Sequence, residues 1–174
     1  MTRQLMQFRF TVPAVPVAQP RAKATAVNGR ARMYTPTKIK SADGSKKQHP
    51  IAAFKATVRM AAMKAYSGPP MTGPLCVDCT FVFPREKSKE WKTRPMPRYR
   101  HIGKPDRDNC DKAILDALKG TILADDCIVC DGRIQKWRAA GDEQPHVEIC
   151  VTKLDVTDCL APPVQIEDLL PIGA

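Results

Sequence analysis

The sequence predicts an α+β fold: a single domain in which a small mixed, mostly antiparallel sheet of about four strands packs against two main helices. Three observations lead there. Four short segments read as strands, the first two by clear apolar alternation. Two longer segments repeat apolar residues at three- and four-residue spacing. A chain of 174 residues, 43% hydrophobic, suits one compact core rather than two. Both helices are expected on one face of the sheet.

Taken in order, Met6, Phe8, Phe10 and Val12 alternate with Leu5, Gln7, Arg9 and Thr11, the period of a half-buried strand. Residues 13–45 carry prolines, glycines and cations without periodicity and are expected to form a long loop, a length usually reserved for functional segments. Pro50 suits a first helical residue, and Ile51, Phe54, Val58, Ala61 and Ala65 follow at helical spacing until Gly68-Pro69-Pro70. Leu75, Val77, Cys79, Phe81 and Phe83 line one face of a strand that Pro84 stops. Residues 85–104 form a second basic loop. A helix is expected from about Asp108 to Lys119, closed by Gly120. Cys127 to Trp137 reads as a strand with a bulge or turn at Gly132, and His146 to Lys153 as the last strand. The domain is expected over residues 1–156, with a loosely ordered, proline-containing tail at 157–174.

Composition narrows the function. No run of 18 apolar residues exists, and the first residues lack the apolar stretch of a secretory signal, so a cytoplasmic location is expected. Residues 1–100 hold 20 Lys/Arg against 4 Asp/Glu, whereas residues 101–174 hold 8 against 14. Seven of those acids (Asp106, Asp108, Asp111, Asp116, Asp125, Asp126 and Asp131) fall within 26 residues. A basic body with one acidic focus suits a nuclease, whose cations track phosphates while carboxylates hold metal. A solvated basic surface would have the same bulk charge.

The segment that carries chemistry is Lys104-Pro-Asp-Arg-Asp-Asn-Cys-Asp-Lys-Ala-Ile-Leu-Asp-Ala-Leu118, followed by Asp125-Asp126. With Pro105 holding Lys104 extended, Asp106 and Asp108 would lie on one side of an extended stretch, Cα atoms about 6.6 Å apart. Two carboxylates so placed can converge on a hard cation. Asp108 is expected at the helix N-cap, where the dipole favours the ionised form. Lys112, four residues on, shares its face and could offset charge growing on a phosphoryl oxygen. Taken singly, each feature has an ordinary reading as a cap or a surface ion pair. The adjacent acids Asp125 and Asp126 repel one another unless a cation or solvent separates them, which favours a metal site.

This pattern resembles the signature of the RusA family of Holliday-junction resolvases (crossover junction endodeoxyribonucleases). The paired acids before a strand, Phe81-Val-Phe-Pro-Arg-Glu-Lys-Ser88, Gln19-Pro-Arg21 and Tyr34-Thr-Pro36 are similar to family features too. The likeness runs from about residue 5 to 153. It implies a RusA-like domain acting as a homodimeric, Mg²⁺-dependent endonuclease (Mn²⁺ substituting) that nicks four-way junctions symmetrically in recombination and repair, leaving 5′-phosphate and 3′-hydroxyl ends. By position, Asp106, Asp108 and Asp126 correspond to the essential carboxylates, Asp125 to the neighbouring acid and Lys112 to the essential lysine. Cys110, where a larger aliphatic residue is common, and the extended C-terminus depart from the family.

DNA contacts are expected from Arg21, Lys23, Arg30, Arg32, Lys38 and Lys40 in the first basic segment. In the second they are expected from Arg85, Lys87, Lys89, Lys92, Arg94, Arg98, Arg100 and Lys104. Trp91 and Tyr99 among them could stack on unpaired bases or anchor the loop. His101 reads as solvated. The pairs Cys76/Cys79 and Cys127/Cys130 invite a zinc reading, but in strands residues three apart point to opposite faces, so core packing is preferred. Two rivals share these features: a less selective nuclease of branched or duplex DNA, and a non-catalytic basic DNA-binding protein. No nucleotide-cradling glycine motif or Ser-His-Asp arrangement is found.

Overall fold

The computed structural model describes residues 6–27, 30–36, 38–40, 44–91, 93–155 and 160. The tail expected at 157–174 thus lies, Leu160 apart, outside the described residues, as does Lys92. The main sheet has six strands, more than the four expected. Strand β1 (Gln7–Val12) pairs antiparallel with β10 (His146–Lys153), and β10 with the long β6 (Leu75–Phe83). On the far side β6 runs parallel to β8 (Val129–Asp131) and to β9 (Ile134–Arg138), which pairs antiparallel with β7 (Tyr99–Arg100).

Period-two burial fixes which face is the core. Leu75, Val77, Cys79, Phe81 and Phe83 of β6 are buried, as are Val147, Ile149 and Val151 of β10. Against that face pack α1 (Ile51–Ala65), through Phe54, Val58 and Ala62, and α2 (Arg107–Leu118), through Cys110, Ala113, Ile114, Ala117 and Leu118. The opposite face stays polar, with Arg9, Thr11, Asp78, Thr80, Gln135, Glu148 and Cys150 around an open cleft.

Three expectations are corrected. Residues 13–45 are not one structureless loop. They contain the hairpin β2 (Lys23–Val27) and β3 (Arg30–Tyr34), and then β4 (Lys38–Lys40), which pairs with β5 (Lys46–Gln48). The signal was present: Asn28-Gly29 between two five-residue strands is a strong hairpin signature. Second, Cys127 to Trp137 is not one strand. A short 3₁₀ turn at Asp126–Ile128 leads into β8, and Gly132 breaks the run with φ +156°. A Cβ at Gly132 would lie 2.2 Å from the Val77 carbonyl oxygen, so the chain can pass β6 this closely only at glycine. Third, of the four paired cysteines only Cys79 is a core thiol; Cys127 and Cys130 are exposed, and Cys76 is half-buried on the opposite face from Cys79.

Candidate active site and nucleic-acid interface

The chain enters α2 from a tightly held turn. His101 is buried rather than solvated, its ring edge-on to Phe83 at 4.8 Å between centroids. Its Nε2 lies 2.9 Å from the Lys104 carbonyl oxygen, and its backbone N–H donates to the Lys136 carbonyl at 3.1 Å. Lys136 Nζ donates to the carbonyls of Gly103, at 2.7 Å, and Pro105. Burial, and then the nearby Arg138 charge, lower the His101 pKa from its ordinary value. One lysine and one histidine therefore fix five residues of backbone immediately before the acidic signature.

The helix starts earlier than expected. Asp106 occupies the N-cap position in an extended conformation (φ −67°, ψ 150°), and Asp108 lies in the first turn. The two are thus not neighbours on an extended stretch. Pro105 restrains only the residue before it, so the chain turns helical directly after Asp106. The Asp106 side chain does not cap the helix; it accepts from Arg21 Nη2 at 2.6 Å. The Gln19 backbone N–H donates to the Asn109 carbonyl at 2.8 Å, so Gln19-Pro20-Arg21 is laid along the first turns of α2.

Asp125 and Asp126 are held elsewhere. Lys119 Nζ, just past the end of α2, sits 2.7 Å from Asp125 Oδ2 and 3.1 Å from Asp126 Oδ1. Asp125 Oδ1 also accepts from the Cys127 backbone N–H at 3.1 Å. The Lys119 hydrogen bond, then that backbone bond, push the Asp125 carboxyl well below the usual range, and the two acids raise Lys119 in turn. A 12-residue helix spans about 18 Å, so Lys119 is a helix length from Asp106. Among the described residues no group of three or more His, Cys, Asp or Glu side chains gathers closely enough to hold a metal.

Lys112 is exposed and lies 3.8 Å from Asp116 Oδ1, whose other oxygen takes Lys55 Nζ at 2.8 Å. Asp116 thus braces α1 to α2, assisted by Arg59, which donates to the Ala117 carbonyl. Lys112 is the outer, looser partner. Asp111 lies half-buried on the side facing β8, and burial raises its pKa against the opposing charge of Arg107.

The basic surface divides by what its charges touch. The β2–β3 hairpin is exposed throughout its described side chains, and its register sorts it by face. Lys23, Thr25, Arg30, Arg32 and Tyr34 share one face; Ala24, Ala26, Ala31 and Met33 share the other. Arg21 and Lys38 are exposed nearby, while the Lys40 side chain lies outside the described residues. In the second segment, Arg85 works internally, donating to the carbonyls of Ala139 at 2.9 Å, Lys89 at 3.2 Å and Pro97. Arg98 binds Glu143 and Glu148, the latter at 2.9 Å. Trp91 and Tyr99 are stacked on cations: Arg94 on Trp91 at 4.0 Å, Arg85 and Lys89 on Tyr99 at 4.9 and 4.7 Å. Arg100 covers Trp137 at 3.8 Å, Lys89 also pairs with Glu86 at 3.4 Å, and Lys87 and Lys104 remain exposed.

Sequence reasoning passed over Lys119, Lys136 and the anchoring role of His101. Nothing in their spacing marks them: Lys136 acts on a segment 33 residues away, and His101 and Lys119 act through local turns that have no periodic signature.

A family model described as Endodeoxyribonuclease RusA matches residues 13–152. The uncharacterised protein YqaN of Bacillus subtilis (strain 168) is 30% identical over 151 residues, covering 84% of this chain and 96% of that protein.

Proposed function

The chain belongs to the RusA endodeoxyribonuclease family, and from that membership we propose that it resolves four-way DNA junctions by paired nicks from a two-fold dimer. As a family member it is an endodeoxyribonuclease, a Holliday-junction resolvase, which removes the reading of a non-catalytic DNA-binding protein. Nucleases of this kind use divalent metal ions. The finer assignment of Mg²⁺, with Mn²⁺ able to substitute, rests on the donors: Asp106, Asp108, Asp125 and Asp126 offer only carboxylate oxygens, the ligands of a hard cation.

The observation that carries the dimer is the separation of those donors. Asp106 and Asp108 stand at the start of α2, and Asp125 and Asp126 are bound by Lys119 just past its end, a helix length away. Two antiparallel copies would bring the start of one α2 beside the end of the other. Each of two equivalent sites would then take Asp106 and Asp108 from one copy and Asp126, with Asp125, from its partner. Two sites related by a two-fold axis match a junction with two equivalent strands to cut.

In that site Asp106, Asp108, Asp125 and Asp126 would hold the metal, which would supply an activated water and polarise the scissile phosphate for in-line displacement. The residues do the rest. Arg21 orients the Asp106 carboxylate at 2.6 Å, and Lys119 does the same for Asp125 and Asp126 at 2.7 and 3.1 Å. Lys112, held only at 3.8 Å by Asp116, can swing toward the phosphoryl oxygens. The products are a 5′-phosphate and a 3′-hydroxyl, and the role is recombination and repair.

The test offers a labelled four-way junction beside a matched duplex, with and without Mg²⁺. Paired cuts on the junction alone, only with metal, are expected; equal cutting of duplex would point to a less selective nuclease. Asp106→Asn, Asp108→Asn and Asp126→Asn should each abolish cutting while sparing binding, and Asp125→Asn should be milder. Mixing Asp106→Asn with Asp126→Asn protein discriminates the shared site, because random pairing restores about a quarter of intact sites if two copies share them and none if they do not.

A further inference from the structure

The turn that precedes the acidic signature presents Ile102 98% exposed, the most exposed of the large apolar side chains among the described residues. Single exposed aliphatics are ordinary on protein surfaces, but this one is unlike them in its support. The backbone on both sides is fixed by the buried His101, by the His101–Lys104 contact and by Lys136 Nζ on Gly103 and Pro105. Ile102 is four residues from Asp106, with Lys104 and Arg100 exposed beside it. It also lines a cleft of about 310 Å³ walled by Lys89, Tyr99, Arg100 and Arg138, with Glu86 as its one carboxylate.

We propose that Ile102 is a wedge that inserts between bases at the open centre of a branched DNA, holding the strand apart where it meets the carboxylates. The inference rests on the junction reading above and adds to it a residue that sets substrate choice. Branched aliphatic side chains unstack base steps when a rigid element drives them in. A flexible loop would give way; the anchored backbone here cannot yield without breaking the contacts of His101 and Lys136. Insertion at a junction centre costs less than in continuous duplex, because stacking is already interrupted there. The cations beside Ile102 hold the flanking phosphates, and the adjoining cleft leaves room for a displaced base.

The test uses a synthetic four-way junction carrying 2-aminopurine at the crossover, bound without divalent metal so that it is not cut. Wild-type protein should raise the fluorescence several-fold as the base unstacks, Ile102→Ala should remove most of that rise, and Ile102→Leu should restore it. With Mg²⁺, Ile102→Ala should lose about tenfold in junction-over-duplex preference while keeping the wild-type melting temperature, since the side chain touches no core. An unchanged fluorescence rise in Ile102→Ala overturns the wedge. So does conversion of that variant to a monomer, which would assign Ile102 to contact with a second copy. If the wild-type protein neither binds nor cuts junctions, it is the junction reading that fails; if it does both and Ile102→Ala matches it, only the wedge fails.

Discussion

Arg21 reaches across 85 positions of sequence to set its Nη2 2.6 Å from Asp106 Oδ2, joining the Gln-Pro-Arg segment to the acidic signature. Both side chains are well exposed, so the pair itself contributes little to stability, about 0–1 kcal/mol. On the proposed mechanism its value lies in orienting the Asp106 carboxylate. Arg21→Ala should slow junction cutting by at least about tenfold while moving the melting temperature by only a few degrees. Single-turnover rates beside a thermal melt check this, and a normal rate would reduce the contact to surface decoration.

Lys112 sets the proposed catalytic role against a bracing one. Lys55 holds Asp116 at 2.8 Å on its own, so Lys112→Ala leaves the α1–α2 contact in place. Cutting should fall by about 10²-fold or more, as for loss of one transition-state charge, with little change in stability. The reverse outcome, a less stable protein with full turnover, would make Lys112 a structural partner of Asp116.

The β2–β3 hairpin should act as a phosphate-tracking ribbon. Replacing Lys23, Arg30 and Arg32 together by Ala should weaken binding to junction and duplex alike. The slope of log affinity against log salt should fall by up to about 3, one for each phosphate no longer neutralised. An unchanged salt slope would show that this face does not meet DNA.

His101 gives the turn before Asp106 a defined acid sensitivity. Its pKa is lowered by burial and by Arg138, so the unfolded chain takes up a proton first as pH falls. The stability it lends is therefore full above about pH 6.5 and is lost as pH drops below that value toward the lower folded pKa. His101→Gln keeps a hydrogen-bond donor for the Lys104 carbonyl but does not titrate. Its unfolding free energy should show a shallower decline from pH 7 to pH 5 than that of the wild type in denaturant titrations.

Gly132 tests the parallel edge of the sheet. Gly132→Ala should destabilise by roughly 2 kcal/mol or more, since the new Cβ would meet the Val77 carbonyl at 2.2 Å in a φ that side chains avoid. Chemical denaturation would show this as a lower midpoint, and a neutral effect would mean that β8 and β9 can move away from β6 without penalty.

Much of this was legible in the linear chain because it depends on local periodicity. Alternation placed Leu75 to Phe83 on one buried face, and helical spacing placed Phe54, Val58, Ile114 and Leu118 in the core. The signature at 104–126 pointed to the family before any geometry was known. The hairpin at 23–34 was also readable, from Asn28-Gly29, but the dense cations masked its alternation.

What the linear chain could not decide is which charges meet. Arg21 and Asp106, and Lys136 and the Gly103 carbonyl, are partners only because the sheet and α2 bring distant segments together, and an ion pair leaves no periodic trace. For the same reason the sequence presents Asp106, Asp108, Asp125, Asp126 and Lys112 as one cluster, although α2 is a rigid rod that holds its two ends about 18 Å apart. Sequence determined which carboxylates the chain carries; tertiary structure decided that Asp106 and Asp108 stand at one end of α2 and Asp125 and Asp126 beside the other.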